Sequence, residues 1–491
     1  MSAQITENSG LVILFNPSSF RRVGDYTLPM SLLMGAINLY ERYRVVIIDQ
    51  IVQKDYESQL SNLLEQEPVC IGITAMTGKQ IQGGLVASKM AKDNGCPVIW
   101  GGTHPSLLPE QTLSHPLVDY VVQGEAEDTF AELVDALAKG KEQVDGIVGL
   151  WSKDNGRVTF GGEREFVDLN SLPAIPYHLV DINKYIKSGS YGRALSLYTS
   201  RGCPQQCAFC YNPVVHKRRW RSHSAECVLN DIKKLQKEYQ VEHFQFWDDS
   251  FFASLRRARA IAEGIIQLKP SVTWSALGAH VKDIKRMDDD YLDCMVKSNL
   301  KEVLVGVESG SQKILDMIKK NFELDELYYA NRRLRRYNIR PTYTFISGVP
   351  GEEQEDLQKT IDVLIRLKKE NPQAIRGNIK PFVPYPGSEL YEKALELGFR
   401  PPDNLEDWSK MVFLNYSGFN IPWTPKKRRT FLKHLYYYTV LLNPEYLFID
   451  SKLFTFVAYL LRPVAEWRIK NFCFFLPIES WLMQIVQRFV L

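Results

Sequence analysis

Cys203, Cys207 and Cys210 carry the strongest chemical signal in this 491-residue chain. They stand in a C-x-x-x-C-x-x-C spacing within Tyr198-Thr-Ser-Arg-Gly-Cys-Pro-Gln-Gln-Cys-Ala-Phe-Cys-Tyr-Asn212. Three thiolates on one short loop can each hold one iron of a four-iron cluster, which leaves the fourth iron open to a small chelating molecule. Arg201 supplies a cation that favours thiolate over thiol, and Gly202 permits a sharp turn. Two other readings stay open on spacing alone. One is a zinc knuckle completed by His216 or His223; the other is a set of unrelated buried cysteines.

Such a loop needs a strand to hold it. A β-like run, Ala194 to Thr199, comes immediately before it. Strands are expected again at His243–Asp249, Val272–Gly278, Glu302–Val307, Thr342–Ile346 and Gly377–Phe382. Helical periodicity follows each one, including Leu255–Leu268, Met287–Asn299 and Glu353–Glu370. Six strand–helix units are too few to close an eight-stranded barrel, so they predict a partial (β/α)6 TIM barrel with chemistry at the carboxyl ends of its strands. Three of those ends carry polar or glycine-rich turns: Asp248-Asp249, Gly306-Val-Glu-Ser-Gly310 and Gly348-Val-Pro-Gly-Glu352. Asp248 and Glu308 could hold an ammonium or a ribose; Asp249 or Ser250 could instead cap the next helix. The turn at Gly348 opens a helix whose amides favour a negative group. Tyr343, Tyr385 and His280 are further candidates for catalysis.

The N-terminal part also alternates. Strands at Leu11–Asn16, Arg44–Asp49, Cys70–Thr74, Pro97–Trp100 and Tyr120–Val122 are separated by helical stretches. This α/β pattern predicts a Rossmann-like, doubly wound parallel sheet with its ligand crevice at the carboxyl ends. The turns there are Thr74-Ala-Met-Thr-Gly78, Gly101-Gly-Thr-His-Pro105 and Gly124-Glu-Ala-Glu127. The glycines either admit a large ligand or simply make tight turns. The expected divisions are 8–145, a linker over 146–193 with a hairpin around Asp154-Asn-Gly156, 194–398, and a helical, aromatic-rich region over 399–491. That last region is either a cap on the barrel or an interfacial surface against lipid, and a greasy lid suggests a hydrophobic substrate.

A net charge of +3 gives no general argument for nucleic acid. Eight cysteines, three of them clustered, suit a reducing compartment. The polar start lacks a signal-peptide pattern, and no apolar run reaches the roughly 18 residues of a membrane span, so a cytoplasmic protein is expected, with peripheral contact at the inner membrane face through the C-terminal region as an option.

The cysteine spacing with an aromatic before the third cysteine, placed after a strand, resembles the radical S-adenosylmethionine (SAM) superfamily. The resemblance implies a [4Fe-4S] cluster on Cys203, Cys207 and Cys210, Phe209 against the adenine, and SAM contacts from Asp248, Glu308, Ser309 and Gly348. Upstream, Trp100-Gly-Gly-Thr-His-Pro-Ser-Leu-Leu-Pro-Glu110 and Val118-Asp-Tyr-Val-Val-Gln-Gly-Glu125 resemble the cobalamin (B12)-binding domain that precedes many such domains. That implies cobalamin contacts from Thr74, Met76, Thr77, Gly101, Gly102, His104, Gly124 and Glu125. Ala126 replaces the second glycine of the usual Gly-Glu-Gly-Glu. No D-x-H-x-x-G loop is present, which implies a corrinoid with no histidine on cobalt. Pro384-Tyr-Pro-Gly-Ser-Glu-Leu-Tyr391 matches the same subgroup.

The implied activity is a cobalamin-dependent radical SAM methyltransferase. It would form a 5′-deoxyadenosyl radical from SAM and move a methyl group through methylcobalamin to an unactivated carbon of a lipid, tetrapyrrole or secondary metabolite. Flavodoxin or ferredoxin would supply electrons. An oxidative cyclase like anaerobic magnesium-protoporphyrin monomethyl ester cyclase is the enzymatic alternative. A corrinoid- or cluster-binding sensor is the non-enzymatic one.

Overall fold

The two alternating patterns become two sheets. The structure is a computed structural model that describes residues 10–18, 27–140, 144–154, 156–411, 421–443 and 452–490. Two compact units emerge. One holds Met1–Arg22, Leu28–Tyr185 and Pro401–Val412; the other holds Val23–Thr27, Ile186–Arg400 and Phe413–Leu491.

In the first unit, β1 (Leu11–Asn16), β2 (Arg44–Asp49), β3 (Cys70–Thr74), β4 (Val98–Gly101) and β5 (Tyr120–Val122) form a parallel array in the order β2-β1-β3-β4-β5. Every residue of β1 is buried, as expected for a strand covered on both faces. The hairpin expected in the linker forms as β6 (Leu150–Asp154) and β7 (Arg157–Phe160), and it joins the sheet antiparallel beside β5. Trp151 stacks on Phe160 with ring centroids 4.5 Å apart, and its Nε1 donates to Gln123 Oε1 at 2.7 Å. This part of the 146–193 segment is therefore a sheet edge. Further on, the Tyr185 hydroxyl donates to buried Asp49 Oδ2 at 2.8 Å.

The chain returns to this unit after residue 400, although composition alone grouped 399–491 together. Trp408 is fully buried; its Nε1 donates to Gln111 Oε1 at 2.6 Å, while Gln111 Nε2 donates to the Pro402 carbonyl at 3.1 Å. An indole that needs both burial and an acceptor explains the return.

The second unit is a curled, open sheet. Its strands are β8 (Lys187–Gly189), β9 (Gly192–Leu197), β10 (His243–Phe246), β11 (Thr273–Ala279), β12 (Leu300–Glu308), β13 (Arg340–Ser347) and β14 (Ile375–Pro381). The order is β14-β13-β12-β11-β10-β9-β8, with β9 to β14 parallel and β8 antiparallel at the edge. This is the expected partial barrel. Helices Ala225–Tyr239, Leu324–Arg336 and Gln354–Glu370 run between its strands.

One local expectation fails. Neither Asp249 nor Ser250 caps the helix after β10. A 3-10 turn, Phe251–Ala253, intervenes and buries Phe251 and Phe252, and Ser254 caps helix Leu255–Ile266 by accepting the Arg257 N–H. Helix Lys426–Leu441 covers the β14 edge. There Thr439 Oγ1 accepts the Ile379 N–H at 3.1 Å and Asn443 Oδ1 accepts the Arg376 N–H at 3.4 Å, so unpaired strand amides are satisfied. Helices Lys452–Lys470 and Ile478–Val490 follow. Among the described residues no helix is long and apolar enough to cross a membrane.

Candidate functional site

The cysteine loop leaves the end of β9 and is tied down at its start and in the middle. Buried Asp248, past the end of β10, takes the Thr199 N–H on Oδ1 and the Thr199 and Ser200 hydroxyls on Oδ2, all at 2.6 Å. Arg257 Nη2 donates to the Thr199 carbonyl at 2.9 Å. Burial raises the Asp248 pKa, and these donors together with the Arg257 charge work against the rise. Asp248 thus anchors the start of the loop. Its neighbour Asp249 is exposed and accepts the Gly202 N–H at 3.1 Å. Gly202 has φ of 82°, and a Cβ there would lie 2.2 Å from the Arg219 carbonyl oxygen. Only glycine fits. In mid-loop, Ala208 donates its N–H to the Ile318 carbonyl at 2.9 Å and accepts the Leu390 N–H at 2.8 Å.

Cys203, Cys207 and Cys210 are free thiols, each partly buried. Burial raises all three thiol pKa values, that of Cys210 to about 12. The Lys320 cation opposes the rise at Cys207. The Asn212 amide points at Cys210 Sγ from 3.4 Å. Among the described residues no three His, Cys, Asp or Glu side chains converge as ligands of a single ion; a four-iron cube takes one thiolate per iron. Three free thiols on one tied loop, with an amide donor and an ammonium nearby, fit the donor set of an anionic cluster.

Glu308, the last residue of β12, has φ of 72° and is buried. A non-glycine residue in that region is uncommon and costs about 1–3 kcal/mol, so surrounding contacts must hold it. They do: Lys320 Nζ lies 3.4 Å from Glu308 Oε1, with Thr344 Oγ1 donating at 3.5 Å. A Cβ on Gly306 would stand 2.5 Å from Glu308 Oε1 and 2.8 Å from Lys320 Nζ, so glycine makes the space for this pair. Lys320 Nζ also lies 5.8 Å from the centroid of the Phe209 ring, a cation–π arrangement. Burial opposes the Lys320 charge, yet Glu308 and the Cys207 and Cys203 thiols outweigh it, and its pKa is raised. Lys320 sits in no strand-end turn of the sequence, which is why motif reading passed over it.

Several predicted residues face inward. Ser309 Oγ lies 3.2 Å from Thr360 Oγ1 and accepts the Ser311 N–H, within the core. Gly348 has its N–H taken by buried Glu352 Oε2 at 2.5 Å and its carbonyl by Trp423 Nε1 at 2.9 Å. The negative group expected at that turn is the chain's own carboxylate, with Arg428 Nη2 3.2 Å away. Tyr343 is fully buried and donates to Asn331 Oδ1 at 2.9 Å. His280 forms the cap of helix Val281–Arg286, with its Nε2 2.9 Å from the Lys320 carbonyl. Burial holds its pKa down to about 4. Tyr343 and His280 therefore act as structure.

In the first unit the three turns meet at the carboxyl ends of β3, β4 and β5. Gly102 has φ of 95°, and a Cβ there would meet Thr74 Oγ1 at 2.8 Å and the Ala75 backbone at 3.0 Å. Thr74 Oγ1 accepts the Ser31 hydroxyl at 3.3 Å. Met76 is 55% exposed. Gly124 has φ of 82° with open space beside it, and its N–H reaches Ser106 Oγ at 2.9 Å. Glu125 accepts the Val167 N–H at 3.1 Å. His104 is fully buried, its Nδ1 3.1 Å from Thr77 Oγ1 and its ring edge-on to Trp408 at 5.6 Å. Burial holds its pKa down to about 4. Its ring supports Thr77 from behind and does not reach the strand-end surface.

The Radical SAM superfamily model matches residues 197–364, and the B12 binding domain model matches 21–134. An uncharacterized methyltransferase from Pyrococcus horikoshii is 32% identical over 392 residues, which cover 78% of this chain and 82% of that one. The chain belongs to the cobalamin-dependent radical SAM methyltransferase family. This radical SAM enzyme is also 25% identical to the anaerobic magnesium-protoporphyrin IX monomethyl ester cyclase of Rubrivivax gelatinosus, over 71% of this chain and 62% of that one. In fold it is similar to the cobalamin-dependent SAM radical enzyme OxsB with aqua-cobalamin bound, with a TM-score of 0.73 at 18% identity, covering 98% of this chain and 76% of that one. It is likewise similar to TsrM from Kitasatospora setae with cobalamin and a [4Fe-4S] cluster bound, with a TM-score of 0.65 at 17% identity, covering 80% of each chain. The family resemblance read from the cysteine spacing and the glycine turns is borne out. Its Radical SAM and B12-binding domains are those of an enzyme that uses SAM and cobalamin, and its structural neighbours hold a [4Fe-4S] cluster, cobalamin and SAM.

Proposed function

We propose that this radical SAM enzyme methylates an unactivated carbon of a hydrophobic small molecule: a lipid, a tetrapyrrole or a secondary metabolite. Flavodoxin or ferredoxin would be its reductant, and peripheral membrane contact through its C-terminal helices is part of the reading. The observation that carries it is the tied cysteine loop with Phe209 and the Glu308–Lys320 pair beside it. When bound, the cluster, SAM and cobalamin supply radical formation and the methyl group.

The chain's own part is position and exclusion. Cys203, Cys207 and Cys210 hold iron. Asp248 fixes the loop that carries them. Glu308, paired with Lys320, accepts hydrogen bonds from the SAM ammonium or ribose, and Phe209 offers a flat face to the adenine. Ser309 and Gly348 shape the walls of that site. In the first unit Thr74, Met76, Thr77, Gly101, Gly102, Gly124 and Glu125 line the cobalamin side, with His104 in support. The working divisions are 8–145 for cobalamin, 194–398 for SAM, and 399–491 for the C-terminal region.

The likeness to the cyclase favours a second reading, oxidative ring formation with the same cofactors. Anaerobically reconstituted enzyme with reductant, SAM and extracted lipids or pigments decides the matter by product mass. Gain of a methylene supports methylation; loss of hydrogen with gain of oxygen supports the cyclase. A failure to yield 5′-deoxyadenosine with every extract would sink both and leave a sensor.

A further inference from the structure

The last two helices of the second unit carry an apolar surface that none of the described residues covers. On helix Lys452–Lys470, Phe456, Leu460, Val464 and Trp467 recur at helical spacing and are exposed, Leu460 by 62% and Trp467 by 55%. On helix Ile478–Val490, Ile478, Trp481, Leu482 and Ile485 do the same. Between the helices Phe475 is 79% exposed, followed by exposed Leu476. Single exposed apolar residues are ordinary, but two stripes and a loop tip together are not. The helices are held to one another on the other side, where Arg468 Nε lies 3.1 Å from Glu479 Oε2 and Tyr438 OH donates to the same oxygen at 2.9 Å.

Charge selects the occupant. The two carboxylates among the described side chains of this pair of helices are both neutralised from within. Glu479 is buried against Arg468, and Glu466 lies 3.5 Å from Arg376 and 3.2 Å from Lys470. In sequence the segment holds five basic residues, Lys452, Arg462, Arg468, Lys470 and Arg488, against those two carboxylates, so it stays basic once Glu466 and Glu479 are paired. Two exposed tryptophans on a basic segment suit the boundary between headgroups and acyl chains, where an indole has both an apolar body and a polar edge.

We propose that this face docks the enzyme on an anionic lipid surface, lying in the headgroup boundary without crossing the bilayer. The inference rests on the peripheral contact included in the proposed function and adds which residues make it and which lipid charge they select. An enzyme seated this way meets a hydrophobic substrate in the phase where that substrate concentrates.

The test uses reconstituted holoenzyme and two kinds of vesicle, phosphatidylglycerol mixed with phosphatidylcholine and phosphatidylcholine alone. Wild type should sediment with the first far more than with the second, and less in high salt. The double variant Trp467→Ser, Trp481→Ser should lose about tenfold or more in binding while keeping wild-type cluster absorbance and 5′-deoxyadenosine yield. Phe475→Ser alone should lose less, in the same direction. Absence of binding to either vesicle overturns the proposal. So does equal binding to both, and so does a wild-type dimer in light scattering that the double variant converts to monomer. A chain that binds vesicles but makes no 5′-deoxyadenosine would sink the proposed reaction and leave this surface standing.

Discussion

Lys320 Nζ sits 3.4 Å from Glu308 Oε1, and both side chains are buried. The pair joins the end of β12 to the turn after helix Gln312–Met317, beside Phe209 of the cysteine loop. Removing one member of a buried pair leaves the other charge without compensation, at about 3–5 kcal/mol. Lys320→Met should therefore lower apoprotein stability by about that amount, and the double variant with Glu308→Gln should recover much of it. Denaturant titration of the four corners of the cycle checks this. If Lys320→Met alone is neutral, the pair holds nothing.

Gly306→Ala should disturb the same pair without removing either charge. Its Cβ would meet Glu308 Oε1 at 2.5 Å and Lys320 Nζ at 2.8 Å. SAM affinity should fall at least about tenfold, equivalent to 1.4 kcal/mol, while iron content stays at the wild-type level. Equilibrium dialysis of SAM against reconstituted enzyme measures the first, and iron assay the second. Unchanged affinity would remove Glu308 from the SAM site.

The three cysteines should behave differently from the rest. Cys203→Ala, Cys207→Ala and Cys210→Ala should each lose most bound iron after anaerobic reconstitution. Cys227→Ala, at an exposed helix position, should lose none. Iron and sulfide analysis with low-temperature paramagnetic resonance reads the outcome. Retention of zinc in place of iron by wild type would defeat the assignment.

Acid should weaken the apoprotein through its buried histidines. His243 is 2% exposed, with Thr273 Oγ1 at 2.8 Å and Ser275 Oγ at 3.1 Å, and burial lowers its pKa from 6.5 to about 4. The unfolded chain then binds the proton first as pH falls. The stabilising contribution is present in full above pH 6.5 and is lost as pH drops towards 4, about 3 kcal/mol at most. His243→Gln should flatten that part of the pH profile in denaturant titrations at pH 7 and pH 5. An unchanged slope would mean that other groups set it.

At the first unit, Gly124 and Gly102 should separate binding from folding. Both have positive φ, but space is open beside Gly124 and filled beside Gly102. Gly124→Ala should cost about 1 kcal/mol of stability and much of the cobalamin retained on gel filtration. Gly102→Ala should lose the fold of the unit as well. Normal corrinoid retention by Gly124→Ala would move the cobalamin site away from that turn.

The sequence alone determined the cysteine spacing, the alternation of strand and helix that dictates two parallel sheets, and the glycines at strand ends. These are local properties: spacing is covalent, periodicity reports which face is apolar, and positive φ selects glycine. Tertiary structure decided what local patterns cannot carry. It brought Lys320 to Glu308, gave both oxygens of Asp248 to Thr199 and Ser200, and buried His104 behind Thr77. It returned Trp408 to the first unit. It also left the stripes of Trp467 and Trp481 uncovered by any described residue. An amphipathic pattern states that a face is apolar and is silent on what covers it, because the covering group comes from a distant part of the chain or from outside it.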